Sequence, residues 1–277
     1  MRRLAFSNSL AVAERRYIQS IHEPTELLNP DRLVGHFLPP LRRWRCQWLS
    51  QSSVATLQAD PLYYYLLART RYYDSVFLNA ITSNVQYIVN IGCGTDTRAY
   101  RFEQALKQKG IKVLECDQPK AIEIKQDVSK RLWDNDHVTY VSIDLNDEAW
   151  PDFESWLAHN KMPRALVFME GVAPYIKVET FTKVLRFLGK HLSRESRIAY
   201  DFKLRGFDET WRDGRTPRLF RLGGEREELN VFHKEMGYQL DHLEGSADLT
   251  TRLLPDLNMS EKGLFMEDML IQLEVMH

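Results

Sequence analysis

Three carboxylates stand where α/β proteins hold nucleoside ligands. Asp117 closes the strand-like run Val113-Leu-Glu-Cys-Asp117, Asp144 follows His137-Val-Thr-Tyr-Val-Ser-Ile143, and Glu170 follows the apolar run Ala165-Leu-Val-Phe-Met169. A carboxylate at the carboxyl end of a parallel strand can accept hydrogen bonds from ribose hydroxyls. It can equally be a plain strand-end cap. Upstream, Tyr87-Ile-Val-Asn-Ile91 breaks into Gly92-Cys-Gly94 and then into Thr95-Asp-Thr-Arg-Ala-Tyr100, the pattern of a strand, a tight loop and a helix. Gly92 and Gly94 let the backbone turn sharply and pass close to a ligand, and Thr95 or Asp96 caps the helix start. Loops that bind pyrophosphate carry a third glycine three residues further on, and here that position is Thr97. The pattern disfavours a nicotinamide-dependent oxidoreductase. It favours a cofactor with ribose and adenine but no phosphate, and S-adenosylmethionine is the common one.

The elements that must position these groups follow from periodicity. The first crossover helix is expected from Asp96 to about Lys107, a second helix from Pro119 to about Trp133, and a surface helix from Asp147 to His159. Val178, Phe181, Val184, Leu185, Leu188 and Leu192 mark a strongly amphipathic helix. Arg197-Ile-Ala-Tyr-Asp-Phe202 supplies the next strand and bears Asp201; Tyr238-Gln-Leu240 and part of Phe265–Val275 supply late strands. A helix from Glu225 to Met236 closes at Gly237. Strands alternating with helices at this spacing argue a mostly parallel, doubly wound sheet.

Residues 1–80 carry helical rather than strand periodicity and are expected to form an N-terminal helical cap, with residues 81–277 as the core. The helix beginning Pro61-Leu-Tyr-Tyr-Tyr-Leu-Leu-Ala-Arg-Thr-Arg-Tyr-Tyr-Asp74 carries Arg69 and Arg71 among five tyrosines. An arginine on an apolar helix must find an anion or reach solvent, so one of the two is a candidate to grip a carboxylate. Residues 203–224, rich in Arg, Asp and Gly around Trp211 and Phe220, suit either a substrate lid or a solvated connector.

Composition narrows the class. The 277 residues suit a single compact enzyme domain. Hydrophobic residues at 44% and charged residues at 27% belong to a globular protein rather than a disordered one. With 37 basic and 38 acidic residues no global field attracts nucleic acid, and no nucleic-acid partner is expected. Cys46, Cys93 and Cys116 show neither metal-ligand nor disulfide spacing, so no metal is expected and a reducing cytoplasm is the expected location. Met1-Arg-Arg-Leu-Ala-Phe6 is interrupted by Ser7-Asn-Ser9 and followed by Glu14-Arg-Arg16; no export signal, transmembrane span or membrane partner is expected.

Five stretches, taken in order, resemble the leucine carboxyl methyltransferase family, whose bacterial members include small-molecule and polyketide O-methyltransferases. They are Ala68-Arg-Thr-Arg-Tyr-Tyr-Asp74, Val89–Arg101, Glu115-Cys-Asp-Gln-Pro119, Ile143-Asp-Leu145 and Met169-Glu-Gly-Val-Ala-Pro-Tyr175. The resemblance spans roughly residues 60–202. It implies a Rossmann-like class I methyltransferase fold, a mostly parallel seven-stranded sheet with helices on both faces. It further implies that Arg69 pairs with the methionine carboxylate of S-adenosylmethionine while Gly92 and Gly94 let its backbone pass. Asp117 would then hold the ribose, Asp144 and Leu145 the adenine, and Glu170 the methionine amino group, with Tyr175 near the methyl acceptor.

The implied acceptor is a small molecule or a peptide terminus. Methyl transfer from a sulfonium needs chiefly proximity and alignment. A carboxylate acceptor is already ionised at neutral pH, whereas a hydroxyl calls for a general base. His191, His233 and His242 all lie downstream of the motifs, which favours methyl-ester formation on a carboxylate. The alternatives are methylation of a natural-product hydroxyl and a non-catalytic module that binds a cofactor or partner. Intact acids at Asp117, Asp144 and Glu170 speak against the module, since buried charges cost folding energy.

Overall fold

The computed structural model describes residues 2–147, 149–160, 164–210, 217–257 and 263–276. Among the described residues four α-helices precede the first strand: α1 (Arg2–His22), α2 (Pro40–Gln47), α3 (Gln51–Gln58) and α4 (Pro61–Thr82). Asp60 caps α4 by accepting from the Leu62 amide at 3.1 Å, and Pro61 supplies its preset first turn. Helix α4 runs on to Thr82, well past Asp74, because Val76, Phe77, Ala80 and Ile81 continue its buried stripe.

The sheet strands are β1 (Tyr87–Ile91), β2 (Lys112–Asp117), β3 (Val138–Ser142), β4 (Ala165–Met169), β5 (Arg197–Leu204), β6 (Arg221–Leu222), β7 (Tyr238–Gly245) and β8 (Asp268–Val275). Their order is β3-β2-β1-β4-β5-β8-β7, with β6 beside β5. The first five are parallel to one another and β8 is antiparallel to both β5 and β7. The sheet is therefore mostly parallel but eight-stranded rather than seven-stranded. The extra strand, β6, pairs Arg221 and Leu222 with Lys203 and Leu204, and two residues leave no readable alternation in the sequence.

Side chains alternate across the central strands, and both faces are buried as a parallel sheet requires. Ile88, Val113, Leu166 and Ala199 face α4 and α6 (Glu103–Lys109), while Val89, Leu114, Val167 and Ile198 face α8 (Pro151–His159) and α9 (Val178–His191). Helix α7 (Pro119–Leu132) packs on β2 and β3.

The expected first crossover helix is two pieces, α5 (Arg98–Arg101) and α6, joined at Phe102. The surface helix starts at Pro151 rather than Asp147, since Pro151 presets its first turn. Helix α10 (Arg226–Lys234) agrees with the sequence reading, whereas β7 extends through Gly245 and leads into α11 (Ser246–Leu253), which pattern alone did not reveal. Within residues 203–224, Thr210 bridges Pro217, and Trp211 lies outside the described residues. No helix among the described residues is long and apolar enough to cross a membrane.

Candidate active site

Strand order reverses between β1 and β4: β2 and β3 continue to one side, β5 to the other. The loops leaving β1 and β4 diverge, and a crevice opens at the strands' carboxyl ends. There a cavity of about 960 Å³ is lined by Gly92, Gly94, Asp117, Asp144, Leu145 and Glu170, with Arg69, Tyr175 and Asp201 also in its wall. All eight sequence-predicted site residues thus line one cavity.

The glycine loop is held by short backbone bonds. The amides of Gly92 and Cys93 donate to the Cys116 carbonyl at 2.7 and 3.0 Å. Gly92 has φ +74°, and a Cβ there would lie 2.3 Å from Val172 Cγ2, so the close approach of the β1 and β4 loops requires glycine. Gly94, at φ +38°, donates its amide to Asp117 Oδ2 at 2.7 Å, and Gln118 N donates to Oδ1 at 2.7 Å. Burial raises the Asp117 pKa, and those two amides pull it back down. Asp144 accepts from Asn146 N at 3.0 Å and from Gln118 Nε2 at 3.2 Å. Gln118 thus links the two acids.

Thr97, where a dinucleotide loop would have its third glycine, is buried. Its hydroxyl donates to Asp31, and Arg101 Nε donates to it at 3.0 Å. Asp31 also pairs with Arg16 of α1. The side chain occupies space that a glycine would leave open.

On the other side, Arg69 Nε donates to Glu170 Oε1 at 3.2 Å and Nη1 to Asp201 Oδ2 at 3.4 Å. Burial pulls the Arg69 pKa down, but Asp201 and Glu170 together outweigh it and drive it upward. Glu170 Oε2 accepts from Arg98 Nη1 at 2.9 Å. Arg98 is fully buried and also pairs with Asp74 and Asp96. Asp201 Oδ1 accepts from Gly171 N at 2.8 Å and from Tyr73 Oη at 2.9 Å. Burial raises its pKa to about 6, with Arg69 opposing. Arg71, the other candidate of the tyrosine-rich helix, faces away: it donates to the carbonyls of Leu253 and Glu26 and does not line the cavity.

The sequence reading missed several wall residues. Asp201 was visible on its strand, but nothing marked it as a partner of Arg69. Ser9, Arg15 and Arg16 come from α1 without a motif, and Lys203, Arg218 and Asp268 also line the cavity. Lys203 Nζ lies 2.5 Å from Asp268 Oδ1 and Arg218 Nη1 2.6 Å from Glu267 Oε2. No histidine lines the cavity among the described residues. His191 and His233 instead contact the carbonyls of Phe187 and Leu229. Nor do the described residues include a group of three or more His, Cys, Asp or Glu placed to hold a metal ion.

The doubly wound sheet, with its polar crevice at this switch point and antiparallel β8 between β5 and β7, has the class I methyltransferase fold. The chain belongs to the leucine carboxyl methyltransferase family, whose model matches residues 9–189. A relative from Mycobacterium tuberculosis strain H37Rv, assigned by inference to the S-adenosyl-L-methionine-dependent methyltransferases, is 30% identical over 185 residues, covering 64% of this chain and 60% of that protein. A Streptomyces coelicolor protein assigned in the same way is 25% identical over 155 residues, covering 55% of this chain and 53% of that protein. The chain therefore matches about 60% of the length of its Mycobacterium tuberculosis relative. Among solved structures, the [4+2]-cyclase SpnF superposes with a TM-score of 0.51 at 10% identity, covering 75% of this chain and 81% of that one. These structural likenesses concern the fold alone.

Proposed function

We propose that the chain is an S-adenosylmethionine-dependent O-methyltransferase that converts a carboxylate of a small molecule or peptide terminus to its methyl ester. The observation that carries this reading is the convergence of Asp117, Asp144, Glu170 and Arg69 on one cavity beside a glycine loop. The mycobacterial and Streptomyces relatives, assigned to the same cofactor class, support it.

The residues fit such a cofactor. Each Asp117 oxygen accepts one backbone amide and keeps capacity for a ribose hydroxyl. Asp144 and the Leu145 side chain would hold adenine, one by hydrogen bonding and the other by apolar contact. Glu170 would meet the methionine amino group. Arg69 commits Nε and Nη1 to Glu170 and Asp201, which leaves Nη2 donors for the methionine carboxylate. When bound, S-adenosylmethionine supplies a sulfonium methyl group open to direct displacement by an ionised acceptor. Tyr175, on the turn after β4, would orient that acceptor.

A carboxylate acceptor needs no proton removed, in keeping with a cavity whose described wall holds no histidine. The second reading, methylation of a hydroxyl, draws on Asp201, whose raised pKa suits a base. Three donors already engage that carboxylate, which favours the ester. Incubation with S-adenosylmethionine carrying a labelled methyl, followed by mild alkali, tests the choice: volatile label is expected, and alkali-stable label overturns the ester.

A further inference from the structure

Helix α2 and its C-cap leave two tryptophans and a leucine in water. Leu41 is 71%, Trp44 57% and Trp48 73% exposed. The spacing i, i+3, i+7 puts all three on one helical face. Among the described residues of the other helices exposed large hydrophobics occur singly, as with Leu78 in α4, Leu132 in α7 and Val231 in α10. The opposite face of α2 is fixed to α1. Cys46 is buried, its carbonyl contacts His22 Nε2 at 2.7 Å, and Gln47 Nε2 donates to Tyr17 Oη at 2.9 Å. The aromatic face is therefore presented by an anchored helix.

Within the stretch that carries this face, charge has one sign, and Glu14 of α1 is the carboxylate that reaches it. Between Asp31 and Asp60 the sequence has no acidic residue and four arginines, Arg32, Arg42, Arg43 and Arg45, in a chain of net charge −1. Helical spacing sets Arg45 one turn after Leu41, at the edge of the apolar stripe, and Arg42 beyond it on the same side. Both are exposed, Arg42 while reaching Glu14 at 3.4 Å. Arg43 turns inward over the Tyr17 ring.

We propose that the α2 face docks the protein peripherally on an anionic lipid surface. Indoles and arginines beside a short apolar stripe match the chemistry of a membrane interface, where rings sit among headgroups and guanidinium groups meet phosphates. Three side chains on a convex helix are small against the roughly 800 Å² per partner that a stable protein complex covers. A second copy fits less well, because a two-fold contact would bring Arg42 and Arg45 of both copies together. The proposal departs from the sequence-based expectation that no membrane partner exists, which considered only spanning segments. It also places the cavity near the lipid, since α1 walls the cavity with Val12, Arg15 and Arg16 and carries α2.

Co-sedimentation of the full chain with vesicles tests this. The parent is expected to pellet with equal mixtures of phosphatidylglycerol and phosphatidylcholine, to stay in solution with phosphatidylcholine alone, and to be released by salt. Trp44→Ser combined with Trp48→Ser should lower binding by more than about tenfold. Arg42→Gln with Arg45→Gln should lower it roughly 30-fold at low ionic strength. Unchanged thermal melts establish that these exposed substitutions leave the fold intact, and either single tryptophan variant serves if the double one does not fold. Any of four results overturns the proposal: no pelleting with the mixed vesicles, equal pelleting with phosphatidylcholine alone, binding indifferent to the tryptophans, or a dimer in sedimentation equilibrium that Trp48→Ser dissociates.

Discussion

The Gly94 amide lies 2.7 Å from Asp117 Oδ2, so the acid placed to hold a sugar also fixes the turn that lets a ligand approach. Site and loop geometry share one carboxylate. Removing it should weaken the ligand contact and loosen the loop together.

Asp117→Ala should therefore weaken S-adenosylhomocysteine binding by about 1.5–3 kcal/mol, the range for hydrogen bonds to a charged group, with further loss from the freed loop. Asp117→Asn keeps an oxygen acceptor for one amide and should lose less. Titration calorimetry giving parental affinity for a folded Asp117→Ala would remove this residue from the site.

Arg69 and Arg71 make opposite predictions although they lie two residues apart. Arg69→Lys cannot span Glu170 and Asp201 with a planar fork and should bind S-adenosylhomocysteine less tightly. Arg71→Lys should leave affinity alone and reduce stability through lost carbonyl contacts. Equal affinities for parent and Arg69→Lys would make its role purely structural.

How much of this was legible in the sequence depended on how local each signal was. Gly92, Gly94 and Asp117 lie within one strand–loop–helix–strand span, and the periodicity either side declared it. Glu170 could be read as a strand-end acid for the same reason. Arg98 could not, because nothing local shows that its fully buried guanidinium joins Asp74, Asp96 and Glu170. The α1 residues of the cavity wall were equally hidden, since Arg16 meets Asp31 only through tertiary packing. Strand β6 is two residues long, and α11 is eight residues closed by no glycine, so neither offers a period to detect. Asp201 sits within β5 rather than at its end, and its side chain turns toward α4 with the pleat.

Stability should carry a pH signature from His233. Burial lowers its pKa to about 4, and its ring contacts Tyr200 Oη at 2.6 Å. Unfolded, the imidazole returns to about 6.5. Between these values the unfolded chain binds more protons, so this group's contribution rises from pH 4 to pH 6.5, is complete above that, and is lost on acidification. Asp201 and Glu115, both raised to about 6, act in the opposite sense over a similar range. His233→Phe should thus remove about 2–3 kcal/mol of pH dependence between pH 4.5 and 7 relative to the parent. Urea unfolding of both proteins at the two pH values measures it; parallel changes would show that His233 titrates normally.

The acceptor is decided by how rate depends on pH. A carboxylate with a pKa near 4 is fully ionised from about pH 6 to 8, so with S-adenosylmethionine saturating, kcat/KM for the acceptor in an ester-forming reaction should be flat across that range. Asp201 sharpens the contrast: acting as base toward a hydroxyl, its pKa near 6 would make the rate climb through pH 6 and level off above 7. Asp201→Asn extends the test. It removes an anion beside Arg69 and should weaken cofactor binding, but in the ester reaction it leaves the pH profile flat, whereas in the hydroxyl reaction it abolishes the rise. Product chemistry gives an independent reading, because mild alkali cleaves a methyl ester and spares an ether. A rate rising through pH 6 that disappears in Asp201→Asn, together with an alkali-stable product, would replace the ester by hydroxyl methylation and give Asp201 the role of base.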